Sequence, residues 1–302
     1  MALASSASKI SIRQTLDILD GPFRPVAVGV AEDRYAFWLG SGISFGKVDG
    51  LKKIIPRVLE FLRQKIDRTN ANCAFAGALT RALHLAGLSD EERTRVDTEV
   101  AVAAWPDQAA IVGRLTNNYA RLLEITVAGQ PEDYLLWEGV GVAATFADPA
   151  IEPDVEHLCM AMLVLEGAAS DIATANWDGL VEKAIDELTG GVPKLIVCVR
   201  AEDLRQAKLA GQLVKFHGCA ILAVSDELHY RPFLVARFSQ INRWAAAPEN
   251  KAVIGRLMDI AVSKPTLMMG LSAQDSNIQA FFATAEATMQ WPWPGDRPSF
   301  VF

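Results

Sequence analysis

The chain has 302 residues, is 51% hydrophobic and carries a formal charge of −7. That length supports a sizeable core in one large domain or two, and the acidic balance argues against a nucleic-acid-binding surface. Cys73, Cys159, Cys198 and Cys219 lack metal-ligand spacing and a secreted disulfide pattern, so they are expected as buried thiols in a reducing compartment.

The chain begins with a leader, residues 1–7, expected to be mobile and lacking the apolar core of a signal peptide. Residues 8–19 have the spacing of a short amphipathic helix, with Ile10, Ile12, Leu16, Ile18 and Leu19 apolar and Gly21-Pro22 as its stop. Residues 34–39 are an aromatic, apolar strand that runs into the turn Gly40-Ser41-Gly42-Ile43-Ser44-Phe45-Gly46. A strand followed by a glycine-rich turn that opens a helix can cradle phosphate. The third glycine falls one residue late for the usual dinucleotide fingerprint, and a tight structural turn explains the same residues. Residues 51–169 read as almost wholly helical, in segments 51–66, 73–86, a capped start at Ser89, 109–127, 134–146 and 154–169. The most apolar of these, 155–169, is interrupted by Glu156, His157 and Glu166, which marks a buried helix rather than a membrane span. The cytoplasm is the default location.

Residues 170–173 end a short strand, and a helix with Leu180, Ala184, Ile185 and Leu188 on one side follows from 179 to 188. Asn176 and Asp178 stand between them, at the carboxyl edge where open α/β sheets bind ligands. Capping of the helix by Asp178 and a turn role for Asn176 are the plainer explanations. Further strands are predicted at 194–199, 212–216 and 265–269, with polar helix 201–209 after the first. The second delivers His217-Gly218, and the third ends in Gly270-Leu271-Ser272-Ala273-Gln274-Asp275. Residues 220–224 read as a continuing strand, followed by an irregular stretch to about 237 and helices at 248–262 and 276–289. Residues 297–302 look like the start of another strand, so the chain is expected to be a piece of a longer protein. His217 alone is explained more readily by packing or hydrogen bonding than by catalysis. Four strand ends with polar or glycine-rich turns, however, converge on one crevice.

The set Gly-Ser-Gly-Ile-Ser at 40–44, Thr-Ala-Asn-Trp-Asp at 174–178, Lys-Phe-His-Gly at 215–218 and Gly-Leu-Ser at 270–272 resembles the sirtuin family, in order and over nearly the whole chain. The resemblance implies an α/β fold with a Rossmann-like parallel sheet, a core over about 26–50 and 170–302, and a helical insertion over about 51–169 within one domain of 1–302. It implies that Gly40, Ser41, Gly42, Ile43, Ser44, Gly270, Ser272 and Asp275 bind NAD+. It assigns Asn176 to the ribose and the attacking water, Asp178 to the nicotinamide, and His217 to the catalytic base. The paired Cys-x-x-Cys zinc module of protein-deacylating sirtuins is missing, so no zinc is expected. Lys47-Val48-Asp49-Gly50-Leu51 stands where those enzymes carry a Gly-Ile-Pro-x-Phe-Arg loop. These departures are similar to sirtuin-like NADases of bacterial anti-phage defence. Those act with a sensor such as a HerA-type ATPase, a short Argonaute or a fused domain.

The implied reaction is hydrolysis of NAD+ to nicotinamide and ADP-ribose, with NAD+ as substrate rather than resident cofactor. Its barrier is formation of an oxocarbenium-like ribose. Asp178 would fix the carboxamide, Asn176 the ribose or water, and His217 would accept a proton. Such an enzyme needs a switch, and a homo-oligomer or defence partner bound through residues 51–169 is the candidate. No nucleic-acid or membrane partner is expected. A sensor that binds NAD or ADP-ribose without cleavage, and a protein deacylase, are the competing functions.

Overall fold

Six strands make one sheet in the computed structural model, which describes residues 11–207, 209–271, 276–288 and 300–301. They are β1 (Ala36–Leu39), β2 (Asp171–Thr174), β3 (Leu195–Cys198), β4 (Gly211–Lys215), β5 (Thr266–Met269) and β6 (Phe300–Val301). The spatial order is β3-β4-β2-β1-β5-β6, and every pairing is parallel. The expected Rossmann-like α/β architecture is present. Because β1 lies between β2 and β5, the connections diverge there, which makes the crevice above β1 the switch point of the sheet.

The helices are α1 (Ile12–Asp20), α2 (Arg24–Ala31), α3 (Leu51–Gln64), α4 (Ala74–Leu85), α5 (Asp90–Thr94), α6 (Gln108–Thr116), α7 (Tyr119–Leu123) and α8 (Val142–Phe146). They continue with α9 (Val155–Leu165), α10 (Leu180–Thr189), α11 (Ala220–Ser225), α12 (Glu227–Tyr230), α13 (Phe238–Arg243), α14 (Lys251–Ser263) and α15 (Ser276–Thr288). No helix among the described residues is long and apolar enough to cross a membrane.

A strand buried on both faces presents alternate side chains to two layers. Tyr35, Phe37 and Leu39 pack with Met160, Ala161 and Val164 of α9 and with Val181, Ala184 and Ile185 of α10. Ala36 and Trp38 point the other way, into a core with Val253, Leu257 and Ile260 of α14 and Ile278, Phe281 and Ala285 of α15. A third core, built from α3, α4, α6 and α7 with Leu135, Leu136 and Val142, fills the connection between β1 and β2. The stretch expected as one helical block over 51–169 is therefore divided. Residues 51–146 form a cluster that also takes in Ala220, Ala223, Leu234 and Ala236, whereas α9 covers the sheet, because its Met160, Ala161 and Val164 form a face broad enough to seal it.

Local chemistry accounts for other departures. Residues 109–127 break into α6 and α7 at Asn117-Asn118, where the Asn118 amide bonds back to the Arg114 carbonyl at 3.1 Å. Residues 134–146 break into a π-turn, Leu135–Gly139, and α8. The predicted helix at 201–209 contracts to a single turn at Asp203–Arg205. The Asp203 carboxylate takes the amides of Val199 and Arg200 at 2.9 and 3.0 Å and folds the chain back. Residues 220–224 are helix α11 and not a strand, since Ala220 and Ala223 at helical spacing are buried in the helical cluster. Helix α2 follows directly on the Gly21-Pro22 stop, with Pro25 in its first turn, where a proline ring is suited. Cys73, Cys198 and Cys219 are buried as expected, and burial pushes the Cys198 thiol up to about 12; Cys159 is exposed.

Candidate active site at the carboxyl edge of the sheet

Register brings the four sequence motifs to one level. Leu39 stands beside Thr174 and Met269, and Thr174 stands beside Lys215. The next residues, Gly40, Ala175, Phe216 and Gly270, therefore leave the sheet together, and Asn176 and His217 follow two residues past aligned positions on adjacent strands. Ser272 and Asp275 lie outside the described residues.

The glycine turn is a single 3-10 turn, Ser41–Ser44, and does not open a longer helix. Phe45 is extended, Gly46 has φ +85°, and α3 begins only at Leu51, so no helix dipole stands behind the turn. Its glycines meet another backbone. A Cβ on Gly40 would lie 2.4 Å from the Gly270 carbonyl oxygen, and one on Gly42 would lie 2.6 Å from the Gly270 Cα. Gly270 has φ +64° and comes as close to Ile43 in return. The amides of Gly40, Gly42 and Ile43 donate to the carbonyls of Met269, Gly270 and Gly40 at 2.9, 2.9 and 3.2 Å. Close approach of two loops is thus the visible reason for glycine here.

Ser44 ends the turn, buried, with its Oγ donating to Asp178 Oδ2 at 3.0 Å. The other Asp178 oxygen, Oδ1, accepts the Leu180 amide at 3.3 Å, so one carboxylate holds both the first amide of α10 and the glycine turn. Asn176 ties the same turns together: its Nδ2 donates to the Gly40 carbonyl at 3.0 Å, and its own amide donates to Thr174 Oγ1 at 3.0 Å. The His217 ring is buried and meets Phe216 and Trp244 edge-on, with centroids 4.8 and 5.9 Å away. Its carbonyl accepts the Trp177 indole N–H at 2.7 Å and the Val235 amide at 3.0 Å. Trp177 in turn meets Phe146 of α8 at 5.3 Å, which joins the motif to the helical cluster.

The segment after His217 is clasped to that cluster. Arg231 forks onto Asp133 at 2.7 and 2.8 Å and lies over the Trp137 ring at 4.6 Å. Glu124 takes the Ser239 amide and hydroxyl at 2.9 and 2.8 Å. That clasp explains α13, which no sequence pattern announced.

Two residues of the site escaped sequence reasoning. His157, fully buried, places its Nε2 3.1 Å from Ser44 Oγ, and its Nδ1 accepts the Asp154 amide at 3.1 Å. Burial holds its pKa below the usual imidazole value, against the opposing charges of Asp178, Glu156, Asp154 and Glu182. Lys215, also buried, donates to the Asp178 carbonyl and to Glu182 Oε1, the latter at 2.9 Å. Burial opposes its charge, but Cys219, Glu182 and Asp178 around it raise its pKa above the ordinary lysine value. A lone histidine within an apolar helix and a lone lysine ending an apolar strand were the available signals, each a polar group that must find a partner.

Residues 170–294 match a family model described as a SIR2-like domain. The matched stretch carries Asn176, Asp178 and His217 and leaves the glycine turn at 40–46 outside it. SIR2-like domains are in general NAD-dependent enzymes, so the match supports a sirtuin-like domain with NAD-related activity. A search of curated proteins returns no match to the chain. Among the described residues, no group of three or more His, Cys, Asp or Glu is placed to hold a metal ion.

Proposed function

We propose that the protein is an NAD+ glycohydrolase that releases nicotinamide and ADP-ribose. The observation that carries this reading is Asp178 hydrogen-bonded to Ser44 beneath the glycine turn, with Asn176 bonded to Gly40 and His217 at the level of Asn176 on the next strand. Nicotinamide leaves from a cationic ring and needs little acid help, so the protein's work is to hold the ring and stabilise an oxocarbenium-like ribose. Asp178 holds the carboxamide, Asn176 orients the ribose or water through its amide oxygen, and His217 takes the proton as the hydroxyl forms. Gly40, Ser41, Gly42, Ile43, Ser44 and Gly270 line the cofactor side in this reading, and the resemblance alone assigns Ser272 and Asp275 to it.

The activity serves anti-phage defence in the cytoplasm, restrained until oligomerisation or a sensor partner, such as a HerA-type ATPase or a short Argonaute, completes the site. Its support is the resemblance of the motifs together with the contact between helical cluster and motif at Trp177 and Phe146. The test is nicotinamide release from NAD+ by wild type beside Asn176→Ala. Release that disappears in the variant supports the reading. Binding of NAD+ without release by wild type, alone or assembled with its partner, favours a sensor. Absence of both binding and release sinks the NAD site.

A further inference from the structure

His217 stands just past the end of β4, and the groups that hold its carbonyl lean on another part of the molecule. β4 ends at Lys215, and the Phe216 amide still donates to the Thr174 carbonyl at 3.1 Å. The His217 carbonyl instead accepts the Val235 amide and the Trp177 indole N–H. Trp177 leans on Phe146 of the helical cluster. Val235 belongs to a stretch whose alternate side chains enter two cores: Leu234 and Ala236 join the helical cluster, while Val235 joins the core beneath α14. The same stretch presses on the histidine turn. Gly218 has φ +100°, and a Cβ there would lie 2.6 Å from the Phe233 carbonyl oxygen and 3.0 Å from the Leu234 Cα.

The helical cluster holds this stretch at both ends. At one end the Arg231 fork on Asp133 opens a single 3-10 turn, Arg231–Phe233, which the Leu234 amide closes on the Arg231 carbonyl at 3.1 Å. At the other end Glu124 takes Ser239, and Arg121 lies over the Phe238 ring at 4.2 Å. The path from Asp133 to His217 is therefore short and stiff: a bidentate ion pair, one closed turn and one backbone hydrogen bond. We propose that residues 231–239 are a strap through which the helical cluster sets the position of His217, with Arg231 and Asp133 as positioning residues. The catalytic consequence rests on the reading of His217 as the base; the mechanical coupling does not. A shift of the cluster against the sheet moves Val235 and with it His217, and a displacement of about 1 Å at a reacting group costs roughly 100-fold in rate. A partner seated on the cluster thus acts on the histidine without touching the pocket. Asp133 is the cleaner of the two residues to change, because Arg231 keeps Glu227 and the Trp137 ring when the fork is lost.

Three substitutions separate coupling from stability. Asp133→Asn keeps the shape of the side chain and breaks the fork, since an amide offers one acceptor where a carboxylate offers two. Asp133→Glu restores the carboxylate. Arg63→Met removes a different ion pair of the same cluster, Arg63 with Glu60 on α3 at 3.0 Å, away from the strap. The coupling is read first, by NMR of the full chain labelled at its four histidines, with His217 assigned by its loss in His217→Gln. The His217 imidazole resonances are expected to move in Asp133→Asn, to return in Asp133→Glu and to stay in place in Arg63→Met. Resonances unmoved in Asp133→Asn, or moved as far in Arg63→Met, overturn the strap, whatever the protein does to NAD+. Turnover is then read as nicotinamide release. The expected result in Asp133→Asn is a kcat lower by about tenfold or more with KM within about twofold of wild type, recovered in Asp133→Glu and unchanged in Arg63→Met. An equal fall in Arg63→Met, or a change in KM alone, overturns the positioning role. A wild type that neither binds nor cleaves NAD+ overturns the catalytic half together with the proposed function, while the imidazole spectra still decide the coupling.

Discussion

The two ends of the sheet both hold charge, half-buried at one and buried at the other, and they handle it in opposite ways. At the amino end, Asp33, Asp171, Arg256 and Lys264 close on one another: Lys264 reaches Asp33 at 2.9 Å and Asp171 at 2.8 Å, and Arg256 also pairs with Asp171. Acids and cations alternate there, and each is answered from the opposite sign. At the carboxyl end the polar groups are strung in a directed chain from His157 through Ser44 to Asp178, with Lys215 behind the Asp178 carbonyl. A closed network of opposite charges fixes the fold, while a chain of donors ending on a carboxylate leaves an acceptor of defined direction. The direction of the hydrogen bonds, beside the deeper burial, distinguishes the candidate site from the structural end.

The comparison breaks most visibly at Lys215. Lys215→Met leaves Glu182 and the Asp178 carbonyl without their buried cation, and a stability loss of ~3–5 kcal/mol is expected in a chemical denaturation curve. Next comes Asn176→Ala, expected to slow nicotinamide release by about 100- to 1,000-fold, or roughly 2.7–4 kcal/mol in the barrier, with the fold retained and a stability loss of only about 1 kcal/mol from the Gly40 hydrogen bond. Asn176 is a cleaner probe than His217, because His217 packs against Phe216 and Trp244 and His217→Ala also opens a cavity. The amino end supplies the control. Lys264→Met is expected to lower stability by about 2 kcal/mol and to leave kcat/KM for NAD+ within twofold of wild type. A large activity loss there would erase the distinction between the two ends.

The smallest effect separates the ends by pH. His157 has a folded pKa below its usual 6.5, so the unfolded chain binds its proton first, and the stability it contributes is full above pH 6.5 and lost as pH falls below that. Burial raises the Asp171 pKa, but the hydrogen bond and charge of Lys264 and the charge of Arg256 outweigh it and hold the carboxyl below its usual 3.8. Its contribution is present above 3.8 and lost only below it. Thermal melts from pH 7 to 5 should therefore fall in wild type and flatten in His157→Gln, whereas loss of the Asp171 pair should alter the curve only under stronger acid. A His157→Gln curve with the wild-type slope would place the acid sensitivity elsewhere.

The sheet was legible because its strands carry apolar runs bounded by glycine and polar turns, as at Phe37-Trp38-Leu39-Gly40 and Leu195-Ile196-Val197-Cys198. Asn176, Asp178 and His217 were legible because such turns collect chemistry at one edge. The helix supposed to follow Gly42 was not: Gly46 and Gly50 break the chain within six residues of the turn, and only the packing on Gly270 shows what the glycines are for. His157 and Lys215 were hidden because their partners lie 113 and 37 residues away, beyond any local pattern. Residues 220–224 misled because Ala-Ile-Leu-Ala-Val suits either period, and burial of Ala220 and Ala223 in the helical cluster chose the helix.

The order of the sheet also sets a timetable for synthesis. β1 pairs with β2 and β5, and the Leu39 carbonyl that receives Thr174 waits for a residue 135 positions later. At about 5–20 residues per second, that partner emerges roughly 7–27 seconds after β1. During that interval most of the helical cluster, whose contacts are short-range by comparison, is already outside the ribosome and able to collapse. The run Ala36-Phe37-Trp38-Leu39 meanwhile has neither of its neighbours. The central strand of the finished protein is thus the most aggregation-exposed segment of the nascent one, and the candidate site above it is assembled among the last parts of the molecule.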